Sequence, residues 1–123
     1  MLKARRADRT RVSDPSKRRA PKQERELAAK IGGKTTAASG SQSEKGDVRL
    51  KGVVRIEAKC TRRRSYGLSL GTFEKIENAA TLCSQNEIPA MHIEFLSPEG
   101  QTLKALAVIR ADDLEDLIRR AQR

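Results

Sequence analysis

The chain has 123 residues, 37% of them hydrophobic, which is enough for one compact domain but not for two. Its formal net charge of +10 points to a polyanionic partner, and nucleic acid is the first candidate. No stretch approaches the apolar length of a membrane-spanning helix, and no signal-peptide core follows the basic start, so we expect no membrane location.

The first twenty residues or so form a basic segment without apolar periodicity. It contains eight lysine and arginine residues and only two acids, Asp8 and Asp14. Such a segment lacks the apolar side chains that a core requires. We therefore expect residues 1–20 to be disordered alone and to order on a phosphate backbone, with a solubilising or targeting role as the alternative. One folded domain is predicted over residues 21–123.

A first helix is predicted from Pro21 to Ile31. Proline suits the first position of a helix, where its missing N–H costs nothing, and the two glycines after Ile31 are a C-terminal signal. The expected buried face consists of Leu27, Ala28 and Ile31. Glu24 lies one turn before that face and at its edge, whereas Glu26 points away. A carboxylate directed toward the core is unusual without a partner, so Glu24 is a candidate site acid.

A hairpin closed by Gly52 follows a polar connector, residues 35–43. The connector is typical of a flexible linker, although its serines could also bind phosphates. Successive side chains of a strand face opposite ways, which gives the second strand of the hairpin two distinct faces. Its apolar face consists of Val54, Ile56, Ala58 and Cys60. Its charged face consists of Arg55, Glu57 and Lys59.

The register of the hairpin follows from matching its apolar faces. A two-residue loop would place Asp47 on the apolar face, and a half-buried sheet resists such mixing. A three-residue loop over residues 50–52 keeps the faces separate and pairs Val48 with Val54. Glu57 then lies diagonally across from Asp47, about 7–8 Å away at Cα. We predict this second register.

In that register Asp47 and Glu57 could reach one cation, with Lys59 on the same face. Mg²⁺ takes one or two carboxylates, keeps several waters and accepts phosphate oxygens. Such an ion activates a water and neutralises the charge that develops on a phosphate under attack, and a lysine adds positive charge there. An exposed sheet face with ordinary charges is the alternative, because the pattern is short.

The second half of the chain begins with a helix and a strand. Thr72 can cap a helix that runs to about Gln85. Its expected apolar face consists of Phe73, Ile76, Ala80 and Cys83. Residues 91–95 alternate as a strand, and residues 97–100 form a turn.

A strand and a closing helix complete the predicted fold. Residues 103–109 are apolar on both faces apart from Lys104, so they suit a central strand. Asp112 with Glu115 resembles a capping box. The apolar face that we expect to close the core consists of Leu114, Leu117, Ile118 and Ala121. The element order predicts an α/β fold with a mixed central β-sheet flanked by helices.

Other chemical signals are few. A basic cluster, Arg62 to Arg64, directly follows Lys59, and its position favours phosphate contact. His92 has no second histidine or acid at catalytic spacing, so we expect a structural histidine. Cys60 and Cys83 form neither zinc spacing nor a disulfide framework, and we expect buried thiols in a reducing compartment.

Several stretches, in this order, resemble the archaeal-type Holliday junction resolvases. They are Glu24-Arg25-Glu26-Leu27, Ala38-Ser39-Gly40-Ser41, Gly46-Asp47 and Ile56-Glu57-Ala58-Lys59. Residues 45–49 resemble the small versions carried by bacteriophages. The likeness covers about Gln23 to Leu96. It implies a restriction-endonuclease-like core of the PD-(D/E)XK nuclease superfamily, although Gly46 stands where that superfamily often has proline.

The resemblance also implies roles for individual residues. The implied catalytic residues are Glu24, Asp47, Glu57 and Lys59. The implied ligands of Mg²⁺, with Mn²⁺ as a possible substitute, are Glu24, Asp47, Glu57 and the backbone carbonyl of Ala58. The DNA-binding residues that we expect from resemblance and position together are Arg25, Ser39, Ser41, Lys45, Arg62, Arg63 and Arg64.

The sequence therefore predicts a Mg²⁺-dependent endonuclease that resolves four-way DNA junctions by paired symmetric nicks, in DNA recombination and repair. Because two symmetric cuts require two sites, a homodimer is expected. The expected location is the cytoplasm of a bacterium or of a phage-infected host. The alternatives are a related structure-specific or repair nuclease, and a basic nucleic-acid-binding protein without catalysis.

Overall fold

A computed structural model describes residues 14–36, 47–82 and 86–123. Helices α1, α2 and α3 span Pro15–Ile31, Leu70–Leu82 and Ala111–Ala121. Strands β1 to β5 span Lys34–Thr35, Val48–Leu50, Val54–Thr61, Ile88–Leu96 and Thr102–Ile109. The strands form a sheet in the order β1-β2-β3-β4-β5, in which β3 and β4 run parallel and the other neighbours antiparallel. The predicted α/β fold with a mixed, helix-flanked sheet is confirmed, and the short β1 was not predicted.

The two faces of the sheet are covered by different helices. Leu27 and Ala28 of α1 pack with Ile56 of β3 in one core. Phe73 of α2 packs with Met91 of β4 in the other. Because side chains alternate along a strand, neighbouring residues of β3 and β4 pack into opposite cores. Both β3 and β4 therefore lie between helices, and the charged end of β3 is held on a rigid element.

Helix α1 begins at Pro15, so its predicted start at Pro21 was wrong. The Asp14 side chain accepts a hydrogen bond from the backbone N–H two residues later (3.0 Å), which caps the helix. Arg19 donates from Nε to Glu94 on β4 (2.7 Å) and so fixes the added turns to the sheet. Residues 14–20 are thus part of the fold, while the predicted disorder of residues 1–13 falls outside the described residues.

Helix α2 also begins earlier than predicted. The hydroxyl of Ser69 accepts the backbone N–H of Thr72 (3.1 Å), which is the bond that a capping side chain makes with the third helical residue. Ser69 is therefore the cap, and the prediction of Thr72 in that role was wrong. The predicted end of the helix at Gln85 falls outside the described residues.

The β2–β3 hairpin has a three-residue loop, as predicted, but another register. Val48 lies opposite Ile56, and the loop consists of residues 51–53. The predicted pairing of Val48 with Val54 was wrong. Gly52 sits in the middle of the loop at φ 79°, a left-handed conformation that favours glycine. The apolar faces coincide in both registers, so the hydrophobic pattern could not distinguish them.

A buried ion-pair cluster fixes this hairpin to the start of β4. Glu87 accepts hydrogen bonds from Nε of Arg49 (2.7 Å), Nε of Arg55 (2.9 Å) and the N–H of Gly52 (3.0 Å). The side chains of Glu87 and Arg55 have no exposed surface. Burial acts to raise the pKa of Glu87, but the three hydrogen bonds outweigh it and the pKa is lowered. Arg55 therefore has a structural role, although it shares a strand face with Glu57.

Strand β5 and helix α3 depart furthest from the prediction. β5 is an edge strand, and its residues 102–107 are exposed, so the prediction of a central strand was wrong. Helix α3 buries none of its residues, and Leu114 and Ile118 are each 50% exposed. The expected closing of the core by α3 is therefore also wrong. The capping box at Asp112 and Glu115 does not form, because no side chain caps α3.

Candidate functional site

The hairpin brings Asp47 and Glu57 to neighbouring positions on adjacent chain segments. Asp47 lies one residue before β2, and its N–H donates to the carbonyl of Ile56 (2.8 Å), the residue that pairs with Val48. Oδ2 of Asp47 accepts the N–H of Ala58 (2.8 Å). These two bonds flank residue 57 on both sides. Asp47 is therefore held beside Glu57 by bonds to the residues on either side of it, whereas the predicted diagonal placement assumed a register that the structure does not have.

Lys59 completes the charged face of β3. Its Nζ lies 3.3 Å from Oε2 of Glu57. Burial and then the negative charge of Asp47 raise the pKa of Glu57, and the ammonium of Lys59 opposes them only in part. Burial acts to lower the pKa of Lys59, but Glu57 outweighs it and the pKa is raised. Lys59 is therefore a stable positive charge beside two acids.

Helix α1 directs Glu24 toward the same acids. Burial raises the pKa of Glu24, the charges of Asp47 and Glu57 raise it further, and Arg25 opposes the shift. Like charges that share a small region penalise each other's ionised form in this way. The structure thus places Glu24 within electrostatic reach of Asp47 and Glu57, and Lys59 next to Glu57.

The donor chemistry of this cluster suits a hard divalent cation. Carboxylate oxygens are the ligands that Mg²⁺ prefers, and a cation would relieve the repulsion that raises the pKa values of Glu24 and Glu57. Within residues 14–36, 47–82 and 86–123, no three His, Cys, Asp or Glu side chains are grouped as a ready metal cage. Mg²⁺ is held through one or two carboxylates and keeps its waters, so Asp47 and Glu57 are the fitting ligand pair. Glu24 and the carbonyl of Ala58 as further ligands stay predictions.

Gln23 ties α1 to the strands that carry the site. It is 1% exposed. Its Nε2 donates to the carbonyl of Lys59 (2.9 Å) and to the carbonyl of His92 (3.3 Å), and it lies 3.0 Å from Nδ1 of His92. An amide nitrogen donates and does not accept, so Nδ1 of His92 is an acceptor, and the two N–H bonds of Gln23 are shared among three partners. Burial lowers the pKa of His92, which agrees with the structural role predicted for it.

The hydrogen bond from Gln23 to Lys59 matters for the site because of where Gln23 lies in the chain. It directly precedes Glu24, and it bonds to the backbone of Lys59. The helix that carries one acid is therefore held to the residue that carries the candidate catalytic ammonium. Sequence reasoning missed Gln23. The available signal was a glutamine four residues before Leu27, on the buried face of the helix.

Two further residues near the site were also missed. Lys75 on α2 acts to lower the pKa of Glu57, and Tyr66 acts to raise the pKa of Lys59, so both lie within electrostatic reach of the charged face. Tyr66 is half-buried and packs against the core beneath α2. Neither residue has a spacing that signals the site, because only the crossover from β3 to β4 brings them there.

The predicted DNA-binding residues fall into three groups. Arg25, Arg63 and Arg64 are exposed, as a phosphate-binding surface requires. Arg62 is exposed too, and its Nε lies 3.5 Å from Oδ1 of Asp14. The remaining residues, Ser39, Ser41 and Lys45, lie outside the described residues. None of the helices in the described ranges is long and apolar enough to cross a bilayer.

The two cysteines are not part of the site. Cys60 is a half-buried free thiol whose Sγ donates to the carbonyl of Ser16 (3.1 Å), and burial raises its pKa. A thiol with a raised pKa is a poor nucleophile and metal ligand at neutral pH. Cys83 lies outside the described residues.

No known protein family, no curated protein and no solved structure matches this chain.

Proposed function

We propose that this protein is a Mg²⁺-dependent DNA endonuclease that resolves four-way junctions, with Mn²⁺ as a possible substitute ion. The observation that carries the proposal is the placement of Asp47 beside Glu57, locked by two backbone hydrogen bonds, with Lys59 Nζ 3.3 Å from Glu57. A chain that only binds DNA gains nothing from acids on a phosphate-binding surface. Here the acids lie together on a protein of net charge +10.

The residues of the site have distinct roles in this proposal. Asp47 and Glu57 hold the ion, and Glu24 adds negative charge that strengthens the attraction for it. When bound, Mg²⁺ supplies a nucleophilic water and neutralises charge on the scissile phosphate. The Lys59 ammonium orients the attacking water or stabilises the negative charge of the transition state. Its raised pKa keeps it protonated for that purpose.

The fold supports the same proposal. A helix, an antiparallel hairpin, a second helix and a parallel strand occur in the order that the resemblance implies, with the acids on the first helix and the hairpin. We accordingly propose a restriction-endonuclease-like core. Exposed arginines at residues 62–64 begin three residues after Lys59 and provide contacts to the phosphates on either side of the cut.

Resolution of a junction requires two cuts related by two-fold symmetry. Among the described residues of one chain, Glu24, Asp47 and Glu57 make one candidate site, so we propose that the active form is a homodimer that works on branched DNA in the cytoplasm. The second candidate function is a basic DNA-binding protein without catalysis. The net charge of +10 favours it as much as it favours a nuclease, whereas the acid cluster favours the nuclease alone.

A cleavage assay with two matched substrates tests the proposal. End-labelled four-way junction and a linear duplex of the same arm sequence are incubated with the protein, with Mg²⁺ or with EDTA. We expect paired nicks near the branch point of the junction, with Mg²⁺ only. Equal cutting of both substrates would indicate a less specific nuclease. Binding of both without any cutting would leave the non-catalytic binder as the better account.

A further inference from the structure

A cavity of about 400 Å³ opens where β3 and β4 end and β5 begins. Its lining combines apolar side chains with cations and includes no acid. The apolar members include Phe95, Leu103 and Leu106, and the cations are Arg63, Arg64 and Lys104. We call this cavity the basic pocket. Its volume lies in the range of about 300–1,000 Å³ that is usual for ligand sites.

The basic pocket lies on the same face of the sheet as the candidate site. Lys59 pairs with Ile93 and Thr61 with Phe95 across β3 and β4, and Phe95 pairs with Lys104 across β4 and β5. Directly paired side chains share a face, and so does every second side chain along a strand. Phe95 is therefore on the face of Lys59, one strand and two residues away, or roughly 8 Å between the Cα atoms.

Helix α2 leaves this end of the face uncovered. The core beneath the helix contains Phe73 and Met91, and Val108 packs against it. Closer to the pocket, Leu106 is 48% exposed and Phe95 is half-buried. Exposed apolar side chains next to cations suit a ligand that is apolar in one part and anionic in another.

The cations of the basic pocket are available to such a ligand. The neighbouring Arg62 already lies 3.5 Å from an oxygen of Asp14. In the part of the chain that the structure describes, no acid forms an ion pair with the side chains of Arg63, Arg64 or Lys104. Unpaired positive charges attract anions, and the phosphates of a DNA strand supply a regular row of them.

A nucleotide whose base has left the stack combines the required apolar and anionic parts. Within a duplex the stacked neighbours cover both faces of a base, so only a released base can enter a pocket. An aromatic ring such as that of Phe95 stacks on any base, because every base has a π-face. An anionic lipid has the same two parts, but the face shared with Glu57 and Lys59 favours a DNA strand.

We propose that the basic pocket binds one unpaired base of a DNA strand, stacked on Phe95, with Arg63, Arg64 and Lys104 at the flanking phosphates. This inference rests on the DNA binding in the proposed function, and it names the substrate as DNA that can release a base beside the cut. The separation of roughly 8 Å from Lys59 corresponds to about two nucleotides, since one strand carries a charge every 3.4 Å or so. Releasing a base costs least where pairing or stacking is already interrupted, as at a branch point.

Binding without metal tests the pocket. Two labelled linear duplexes are compared in EDTA, one with a single extra thymidine in one strand and one with an abasic residue at that position. Wild type should bind the thymidine duplex at least about fivefold more tightly at equal salt. Phe95→Leu keeps an apolar side chain and the net charge but removes the ring. It should reduce this ratio to less than about twofold and leave the affinity for the abasic duplex unchanged.

An acid placed in the pocket gives a second variant with a matched control. Leu106→Asp should weaken binding of the thymidine duplex more than binding of the abasic duplex, with an unchanged circular dichroism spectrum. Val53→Asp adds the same charge at the other end of β3, where Val53 is 51% exposed, and should leave the ratio as in wild type. A wild-type ratio near one, or a ratio that neither pocket variant changes, would overturn the inference. Equal affinity for both duplexes, with binding to anionic lipid vesicles that Leu106→Asp abolishes, would replace DNA by lipid and also overturn it.

The same duplexes with Mg²⁺ separate this inference from the nuclease proposal. We expect a cut about two nucleotides from the thymidine. Preference for the thymidine duplex without any cutting would support the pocket and count against the nuclease. Cutting of a four-way junction by a protein with no preference for the unpaired base would support the nuclease and overturn the pocket. Absence of DNA binding would overturn both.

Discussion

The ion-pair cluster around Glu87 should be a main source of stability for the hairpin that carries the site. Glu87→Gln keeps the shape of the side chain but removes the charge that faces Nε of Arg49 and Nε of Arg55, at 2.7 and 2.9 Å. The Glu87 and Arg55 side chains have no exposed surface, so water cannot replace that charge. Removing one partner of a buried ion pair costs about 3–5 kcal/mol. We expect about 3 kcal/mol, because the amide oxygen of glutamine still accepts a hydrogen bond.

Urea and thermal unfolding, followed by circular dichroism at one protein concentration, measure this loss. For a chain of this size about 3 kcal/mol corresponds to a fall in Tm of roughly 10 °C. Glu74→Gln is the control, because Glu74 is exposed on α2 and a surface change of this kind alters stability by less than about 0.5 kcal/mol. If Glu87→Gln is no more destabilising than Glu74→Gln, the reasoning is refuted.

The pH dependence of stability provides a second readout of the same cluster. The folded protein lowers the pKa of Glu87 below its ordinary value of 4.5. The contribution of Glu87 is therefore present in full above that value and is lost as the pH falls through the lowered, folded-state pKa. Wild type should lose stability relative to Glu87→Gln over this acidic range. A difference between the two that does not shrink on acidification would contradict the assignment.

Three further predictions concern the site and the tail. Gln23→Leu and Gln23→Glu both remove the donor to the Lys59 carbonyl, so each should lower kcat for junction cleavage by roughly 10- to 100-fold with the Kd for DNA unchanged. Glu57→Gln should abolish cleavage yet raise the Tm without metal, because a raised carboxylate pKa means that the folded protein penalises the charged form above that pKa. Adding Mg²⁺ should then raise the Tm of wild type more than that of the variant. Deleting residues 1–13 removes five basic side chains. The slope of the logarithm of the DNA-binding constant against the logarithm of salt concentration should then fall by roughly 0.9 for each lost phosphate contact. An unchanged slope would show that this segment does not touch DNA.

Much of the architecture could be predicted because local patterns agree with the fold. Alternating side chains are the period of a strand, and the spacing of Leu27 and Ile31 is the period of a helix. The structure has both the two-faced strand β3 and the helical face with Leu27 and Ile31. Boundaries were less predictable. Pro21 suits a helix start, but Asp14 with Pro15 provides an equally good start upstream, and the tertiary pairing of residues 14–20 with the sheet decides between them.

The errors at the C-terminal end have a different cause. The apolar pattern of residues 103–121 predicts burial, but β5 is an edge strand and α3 buries none of its residues. We assigned the cover to the chain's own core. The exposure of Leu106 and Leu117 contradicts that assignment.

The candidate site was predictable where its residues lie close in sequence and not where tertiary structure assembles it. Asp47, Glu57 and Lys59 belong to one hairpin, so strand geometry alone placed them together. Gln23, Lys75 and Tyr66 come from other segments, and their relation to the site depends on how the helices pack. These positions have no local pattern that distinguishes them from ordinary surface or core residues.

Cleavage and binding of one labelled four-way junction by wild type and by Asp47→Ala, in Mg²⁺, test the central claim most directly. Asp47 is fixed beside Glu57 by its bond to Ala58 and is not needed for attraction to the DNA backbone. We therefore predict paired nicks by wild type, no cleavage by Asp47→Ala, and junction affinities within about twofold of each other at equal salt. Glu99→Ala, in the exposed turn before β5, should cut as wild type does. Cleavage by Asp47→Ala at the wild-type rate would contradict the claim that this cluster is a metal-dependent catalytic site.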